Sequence, residues 1–424
     1  MLNLNDNTNS SLIDMGVPQT TPSIIKVIGV GGGGGNAVNH MFNQGMHDVN
    51  FVVCNTDSKA LADSPVPVRL QLGKEGLGAG NRPAKAREAA EETIEGIRGI
   101  LDDSTKMVFI TAGMGGGTGT GAAPVIAHEA REKGILTVGI VTIPFKFEGN
   151  KKIDQALDGV EAIAKEVDAL LVINNERLRE IYPNLTIRDA FDKADDTLSV
   201  AARSIAEIIT MHGIINLDFR DVSTVLKDGG VAIMSTGYGE GENRVTKAIE
   251  NALHSPLLNN NDIYKSKKLV LAITFCADDN EDVPSEMTME EMNEVHEFMA
   301  KFRDDVDTKF GLAIDPTLGK QIKITILATG FGIHTVAGMQ EHLDGNDEAS
   351  RKAEAERLEE LDERRTTYYG NIDLKGRTYK NHKIFIFESE DLDNEELISI
   401  VEVEPTSKRN KATYNEIKSQ SRVK

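Results

Sequence analysis

The sequence predicts an α/β protein with a doubly wound, mostly parallel sheet, a long central helix and a second, smaller α/β domain. Three observations favour this fold class. Short apolar runs alternate with helical segments up to residue 185, one uninterrupted helical pattern follows, and strand-like runs then alternate with helices again. Antiparallel hairpins need turns of about two to five residues, so connections through helices indicate parallel strands.

The first domain is predicted over residues 24–185. Its strand-like runs are 24–30, 50–54, 68–72, 107–112, 135–142 and 168–174, and its helical patterns include 83–100, 118–133 and 151–167. Strands this apolar are typical of a parallel sheet that helices cover on both faces.

The central helix is predicted over residues 186–213. Apolar residues recur there at helical spacing from Ile187 to Ile209. Thr186 and Asp189 resemble a capping box at its start, and Gly213 stands where a left-handed residue would end the helix.

The second domain is predicted over residues 214–335. Its strand-like runs are 230–236, 268–276, 311–314 and 321–329, and its helical patterns are 242–254 and 285–303.

Both ends of the chain have the composition of flexible segments. Residues 1–23 are polar and rich in Asn, Ser and Thr, as in a disordered arm. Residues 336–424 read as a charged linker and tail, with Glu, Arg and Lys crowded at 348–365 and an apolar, acidic stretch at 393–402 before a basic end. That stretch is a candidate docking peptide, although a frayed tail fits it equally well.

Composition limits the possible partners and compartment. The net charge of −20 argues against unspecific nucleic-acid binding, so no nucleic-acid partner is expected. The sequence predicts neither a signal peptide nor a membrane span. With only Cys54 and Cys276, we expect a reducing compartment, the cytoplasm, and neither disulfides nor a metal cluster.

Two glycine-rich turns, at 31–36 and 115–121, each follow a predicted strand where a helix begins. Because glycine has no Cβ, its backbone N–H can close on a phosphate, and the helix N-terminus favours negative charge. Two such turns indicate a nucleoside triphosphate, since a dinucleotide pyrophosphate needs only one.

The first turn alone leaves an alternative open. Gly29, Gly31 and Gly34, with Asp57 after the next strand, also fit the dinucleotide fingerprint of an NAD-dependent oxidoreductase. Five consecutive glycines, Asn36 at the expected helix start and the second turn argue against it. No Walker lysine motif is present, so backbone dipoles and a cation must balance the phosphate charge.

Five motifs together resemble the tubulin/FtsZ family of GTPases. They are the signature Gly-Gly-Gly-Thr-Gly-Thr-Gly at 115–121, the glycine run within 27–36, Asn-Thr-Asp at 55–57, Pro-Phe-Lys-Phe-Glu-Gly at 144–149 and Asn-Leu-Asp-Phe-Arg-Asp at 216–221. The resemblance runs from about residue 24 to residue 332. It implies a cytoskeletal GTPase that binds GTP or GDP with Mg²⁺, polymerises head to tail and forms the bacterial division ring at midcell. A plasmid-segregation or scaffold filament protein is the alternative within the family.

The resemblance also implies which residues bind the nucleotide. The phosphates would lie against Gly32, Gly33, Gly34, Gly35, Asn36, Gly115, Gly116, Gly117, Thr118 and Gly119. The turns that close over them would contribute Asn55, Asp57, Gly78, Ala79 and Gly80. Glu148 would bind the ribose, with Lys152 nearby, and Asn175, Phe191 and Asp195 would read the guanine.

The guanine assignment agrees with the chemistry of its residues. The Phe191 ring can stack on a purine, and the Asp195 carboxylate can accept hydrogen bonds from the guanine N1–H and amino group. Two residues depart from the family's pattern. Lys152 replaces a usual arginine and turns a bidentate contact into a point charge, and Asn174 replaces a common proline.

The resemblance makes Asn216, Asp218 and Asp221 catalytic. In the family this loop lies over the γ-phosphate of the next subunit, where it polarises the attacking water and helps hold a cation. The residues themselves equally fit a capped helix start. The tail would bind membrane-tethering and regulatory division proteins.

Overall fold

The computed structural model describes residues 23–336 except 47–48, 103, 212, 256–262, 278–285, 303–305 and 334–335. Within these residues, eleven strands form one sheet in the order β3-β2-β1-β4-β5-β6-β8-β11-β9-β10-β7. No helix in the described part of the chain is long and apolar enough to cross a membrane. The predicted arm, up to residue 22, and the tail with the candidate docking peptide lie outside the described residues.

The first half of the chain supplies six parallel strands. They are β1 (Ile25–Val30), β2 (Val49–Asn55), β3 (Val68–Gln71), β4 (Met107–Gly113), β5 (Leu136–Ile143) and β6 (Ala169–Asn174). The helices between and after them are α1 (Gly31–Asn43), α2 (Ser58–Ala62), α3 (Pro83–Glu92), α4 (Ile94–Ile100), α5 (Thr118–Glu132), α6 (Asn150–Ala164) and α7 (Asn175–Ile181). β1 pairs in parallel with both β2 and β4. The strand order therefore reverses between β1 and β4, the position where open α/β sheets bind ligands.

The single helix predicted over 83–100 is wrong, because the structure divides it into α3 and α4 at Thr93. The Thr93 hydroxyl accepts a hydrogen bond from the Gly73 N–H at 2.8 Å and donates to the Ala89 carbonyl at 2.9 Å. The side chain thus ties the helix break to a loop twenty residues earlier.

The central helix, α8 (Ile187–Thr210), begins as predicted, since the Thr186 hydroxyl accepts from the Asp189 N–H at 3.2 Å. Its predicted end is wrong. Gly213 is not a left-handed cap but the first residue of β7 (Gly213–Ile215), which pairs with β10. A Cβ on Gly213 would lie 2.0 Å from the Leu312 carbonyl oxygen, so glycine is needed there for the close approach of two strands.

The second half continues the same sheet. Its further elements are α9 (Phe219–Leu226), β8 (Gly230–Gly239), α10 (Arg244–Leu253), β9 (Lys268–Phe275), α11 (Met289–Met299), β10 (Asp307–Ile314) and β11 (Ile322–Phe331). β8 joins β6 in parallel at its first three residues. β11 is antiparallel to both β8 and β9, whereas β9 and β10 are parallel. β8, β9 and β10 therefore run in the same direction as β1 to β6.

Apolar side chains pack on both faces of this sheet. Phe109 and Ile110 are neighbours on β4 and are both fully buried, each in a different core. The Ile110 core includes residues of α5 and α6, and the Phe109 core includes residues of α1, α8 and α9. The predicted doubly wound α/β class is confirmed.

Candidate functional site

The first glycine turn is itself the start of α1, so the helix begins at Gly31 and not at Asn36 as expected. Two of its glycines are tightly packed, Gly34 against strand β4 and Gly31 against the start of α5. A Cβ on Gly34 would lie 2.1 Å from the Thr111 carbonyl oxygen, and one on Gly31, whose φ is +73°, would lie 2.8 Å from the Gly119 nitrogen. Gly32 and Gly35 have no such neighbours within 4 Å.

The N-terminus of α1 is therefore held close to the sheet on one side and open on the other. Val30, the residue before the helix, provides no side-chain cap for its first N–H groups. Uncapped N–H groups at a helix start, with open space in front of Gly32 and Gly35, can donate to the oxygens of an anion such as phosphate.

The second glycine turn connects β4 to α5 and, like the first, contains both tightly packed and open glycines. A Cβ on Gly117 would lie 2.8 Å from the Ala79 Cβ, and one on Gly119 would lie 2.5 Å from the Gly113 carbonyl oxygen. Gly116 has open space around it, and no side chain caps α5 at Gly117. This turn too offers helix N–H groups to an anion.

The two turns meet. Gly31 approaches the backbone at Gly119, and the hydroxyls of Thr56 and Thr118 are 2.7 Å apart. The Gly78 N–H donates to the Thr56 carbonyl at 3.0 Å, which brings the predicted closing turn at residues 78–80 to the same place. The structure thus brings together the sequence-predicted phosphate residues at the carboxyl ends of β1, β2 and β4.

Gln155 was missed by the sequence reasoning. From α6, its Nε2 donates to the carbonyls of Gly115 at 3.1 Å and Gly116 at 2.9 Å. These bonds turn the loop's carbonyls towards α6 and hold its shape. No spacing or motif marks Gln155 in the sequence, because the contact depends on how α6 packs beside the loop.

Asp57 and Asn55 make local contacts. The Asp57 carboxylate caps α2 by accepting from the Lys59 N–H at 2.9 Å, and the Asn55 side chain accepts from the Asp57 N–H at 3.2 Å. Both capping bonds go to Oδ1 of Asp57, so this carboxylate has a structural role at the start of α2. These contacts shape the turn beneath the phosphate loops.

Three phenylalanine rings pack against one another, and one of them is Phe191, the residue predicted to stack on the base. Phe145 stacks on Phe147 with ring centroids 5.1 Å apart, and both meet the edge or face of Phe191, at 5.2 and 6.2 Å. Asn175 lies at the start of α7, where its Oδ1 is buried without a hydrogen-bond partner. A buried polar atom without a partner is costly, and a guanine beside Phe191 would supply one.

Glu148 and Lys152 bind each other. The Glu148 carboxylate accepts from the Phe145 N–H at 2.9 Å and from the Lys152 ammonium at 2.5 Å. Lys152 thus already has an anionic partner one helical turn away, and Glu148 keeps its carboxylate next to the aromatic cluster.

Asp195 is the titratable group of this site with a clear shift. Burial raises its pKa to about 7, and the neighbouring Asp192 carboxylate adds to the effect. A carboxyl group with this pKa gains its charge near neutral pH, where two hydrogen-bond donors from a guanine would stabilise the ionised form.

The predicted catalytic residues form the capped start of α9. The Asp218 carboxylate accepts from the Asp221 N–H at 2.9 Å, and the Asp221 carboxylate accepts from the Asp218 N–H at 3.3 Å. The Asn216 side chain accepts from the Gly213 N–H at 2.7 Å. Asn216 and Asp218 are exposed to solvent.

The carboxylate loop, residues 216–221, and the glycine turns lie at opposite ends of the parallel strands of the sheet. The glycine turns follow β1 and β4 at their carboxyl ends, whereas β7 is antiparallel to β10 and leads towards the amino ends. β4 and β7 are also seven strands apart in the sheet, on the order of 30 Å along it. One chain therefore does not bring its own carboxylates to its own phosphate site.

The fold and the site define an α/β nucleotide-binding protein with two phosphate turns and a remote carboxylate loop. Residues 24–183 match the tubulin/FtsZ family GTPase domain, residues 230–332 the FtsZ family C-terminal domain, and residues 379–424 a further model described as FtsZ, C-terminal. The last match falls on the predicted tail.

Proteins of similar sequence support the same family. The cell division protein FtsZ of Porphyromonas gingivalis is 52% identical over 397 residues, which cover 92% of this chain and 86% of the relative. That of Coxiella burnetii is 44% identical over 332 residues, covering 77% and 84%. The chain belongs to the tubulin/FtsZ family of GTPases, and this membership favours the GTPase over the dinucleotide alternative.

Solved structures support the same fold. An empty FtsZ dimer from M. jannaschii has a TM-score of 0.66 at 36% identity and covers 74% of this chain and 89% of its own. The CetZ2 protofilament from Haloferax volcanii has a TM-score of 0.63, covering 77% and 99%, but at 19% identity it supports the fold alone.

The two kinds of glycine in α1 predict different mutant phenotypes. Gly34→Ala would drive a Cβ into the Thr111 carbonyl and should destabilise the protein by about 3 kcal/mol or more. Gly32→Ala should fold with an unchanged or higher Tm, because alanine favours a helix by about 1 kcal/mol, but it should bind GTP more weakly. Thermal unfolding and calorimetry measure both effects, and equal Tm values for the two variants would contradict the packing described.

The raised pKa of Asp195 predicts pH-dependent binding. If guanine binds the ionised Asp195 carboxylate, GTP affinity should fall by up to about tenfold per pH unit as the pH drops below about 7. The phosphates of the nucleotide titrate in the same pH range, with a second pKa of about 6. Asp195→Asn is therefore the matched control, because it reports the nucleotide's own pH dependence. Identical pH profiles for the two proteins would rule out the assigned role of Asp195.

Proposed function

We propose that this chain is a cytoskeletal GTPase of bacterial cell division that polymerises head to tail and hydrolyses GTP between subunits. The observation that carries the proposal is the separation of the glycine turns from the Asn216–Asp221 loop, on opposite edges of one sheet. A subunit stacked on the next would bring the loop of one onto the phosphates of the other. Such a contact does not close on itself and extends into a filament.

GTP binding is assigned to the carboxyl ends of the parallel strands. The N–H groups at the starts of α1 and α5 would hold the phosphates, with Gly32, Gly35 and Gly116 leaving the space they need. Phe191 would stack on the guanine, and Asn175 and Asp195 would read its edge, which gives the unpartnered Asn175 oxygen a role. Glu148 would meet the ribose.

Mg²⁺ is proposed to bind with the nucleotide and not in a cluster of protein ligands. Neither glycine turn contains Lys or Arg, so the turns supply dipoles but no full positive charge. A cation bound to the phosphates would offset the remaining negative charge during hydrolysis.

Hydrolysis is assigned to Asn216, Asp218 and Asp221 of the neighbouring subunit. The carboxylates of the loop can orient and polarise a water for attack on the γ-phosphorus, which breaks the bond to the β-phosphate oxygen and leaves GDP and phosphate. Loss of the γ-phosphate would remove one of the groups that join the two subunits, so filaments would turn over.

Exposed apolar side chains support a contact at the nucleotide edge. Leu77 in the closing turn is 83% exposed, Ile187 at the start of α8 is 72% exposed and Phe147 is 57% exposed. At the carboxylate loop, Ile214 on β7 is 65% exposed. Apolar residues beside both functional loops are expected if the two edges meet in a filament.

The remaining assignments follow from the family. We propose a GTP-binding domain over 24–185, a C-terminal domain over 214–335, the central helix α8 between them, and a tail that binds membrane-tethering and regulatory division proteins. The protein would act in the cytoplasm and assemble at midcell. The names of its relatives favour division over plasmid segregation or an inactive scaffold.

The proposal predicts a GTPase rate per molecule that rises with protein concentration, because each active site needs two subunits. Asp218→Asn should retain GTP binding and α9, since asparagine caps a helix nearly as well, but should lower turnover by at least about a hundredfold. Phosphate release over a concentration series and calorimetry with GTP measure these. A rate per molecule independent of concentration would refute catalysis between subunits.

A further inference from the structure

Lys309 on β10 lies beside the carboxylate loop. Its ammonium is 3.3 Å from Oδ1 of Asp221, while Oδ2 of Asp221 accepts from the Asp218 N–H. The side chains of Lys309 and Asp221 are 34% and 31% exposed, so the pair is within reach of a molecule that covers the loop.

The local structure fixes where Lys309 points. Side chains two residues apart in a strand share a face, so Lys309 and Gly311 face the same side of β10. A Cβ on Gly311 would lie 2.6 Å from Leu217, which means that Leu217 packs directly over this glycine. Leu217 and Asp221 thus attach the two sides of the loop to neighbouring positions of one strand.

The positive charge of Lys309 matters because the loop carries two aspartates. In the proposed filament, Asp218 and Asp221 approach a triphosphate, and like charges repel. The glycine turns bring no Lys or Arg to that contact, and the ammonium of Lys152 is paired with Glu148. Among the described residues, Lys309 is the cation that forms an ion pair with a carboxylate of the catalytic loop, that of Asp221.

We propose that Lys309 is a positioning residue for hydrolysis in the neighbouring subunit. It holds the Asp221 carboxylate in place and offsets its charge, so that the loop can lie against the next subunit's triphosphate. The inference rests on the head-to-tail function proposed above.

The test measures assembly and hydrolysis separately. Light scattering with a non-hydrolysable GTP analogue gives the critical concentration, and phosphate release with GTP gives kcat. Lys309→Gln should raise the critical concentration and lower kcat by roughly fivefold each, with GTP affinity of the free subunit unchanged. Lys301→Gln removes the same charge from an exposed site after α11 and should match the wild type.

Three further measurements distinguish charge from folding. Added salt should bring the Lys309→Gln critical concentration towards the wild-type value, because it screens the repulsion. Lys309→Arg should stay close to the wild type. The double variant Lys309→Gln, Asp221→Asn has no excess carboxylate, so it should assemble like the wild type while hydrolysing slowly.

Each outcome bears on the inference. An active wild type with Lys309→Gln equal to it in critical concentration and kcat would overturn the role of Lys309 and leave the proposed function intact. A Lys309→Gln defect that neither salt nor Asp221→Asn relieves would also overturn it, since the defect would then be structural. If the GTPase rate per molecule of the wild type does not depend on protein concentration, the proposed function and this inference are both refuted.

Discussion

Backbone contact between the first turns of α1 and α5 is the constraint on which the nucleotide site depends. Gly31 lies against Gly119 and Gly34 against Thr111 at distances that exclude any Cβ. Because β1 and β4 are parallel neighbours, both helices start at the same edge of the sheet. Two uncapped helix N-termini therefore point at one small volume, which matches the charge and length of a triphosphate better than a single turn would.

Strand direction explains why this site is incomplete in one chain. β7 reverses direction relative to β10, so the loop that follows it leaves the sheet at the edge opposite the glycine turns. The continuous sheet, with helices on both faces, lies between the loop and the glycine turns. If hydrolysis needs the Asn216–Asp221 loop, as we propose, it also needs self-association, because one subunit does not bring its own loop to its own glycine turns.

The sequence predicted what depends on local patterns. The alternation of strands and helices, the glycine turns, the Thr186 cap and the paired aspartates of α9 are all marked by residues close in the chain. The break at Thr93, the strand at Gly213 and the contacts of Gln155 and Lys309 were not predicted. Each depends on a partner brought near by folding, as when Leu312 approaches Gly213, and no local spacing encodes such a contact. The pKa of Asp195 is likewise a property of burial.

Complementation between two inactive variants tests the central claim most directly. Asp218→Asn keeps the nucleotide pocket and loses the loop chemistry, whereas Asp195→Ala loses the pocket and keeps the loop. If the loop acts on the neighbouring subunit, an equal mixture should recover GTP hydrolysis, up to roughly a quarter of the wild-type rate for random head-to-tail contacts. A mixture no more active than the two variants measured separately, while light scattering shows that they co-assemble, would contradict an active site shared between subunits.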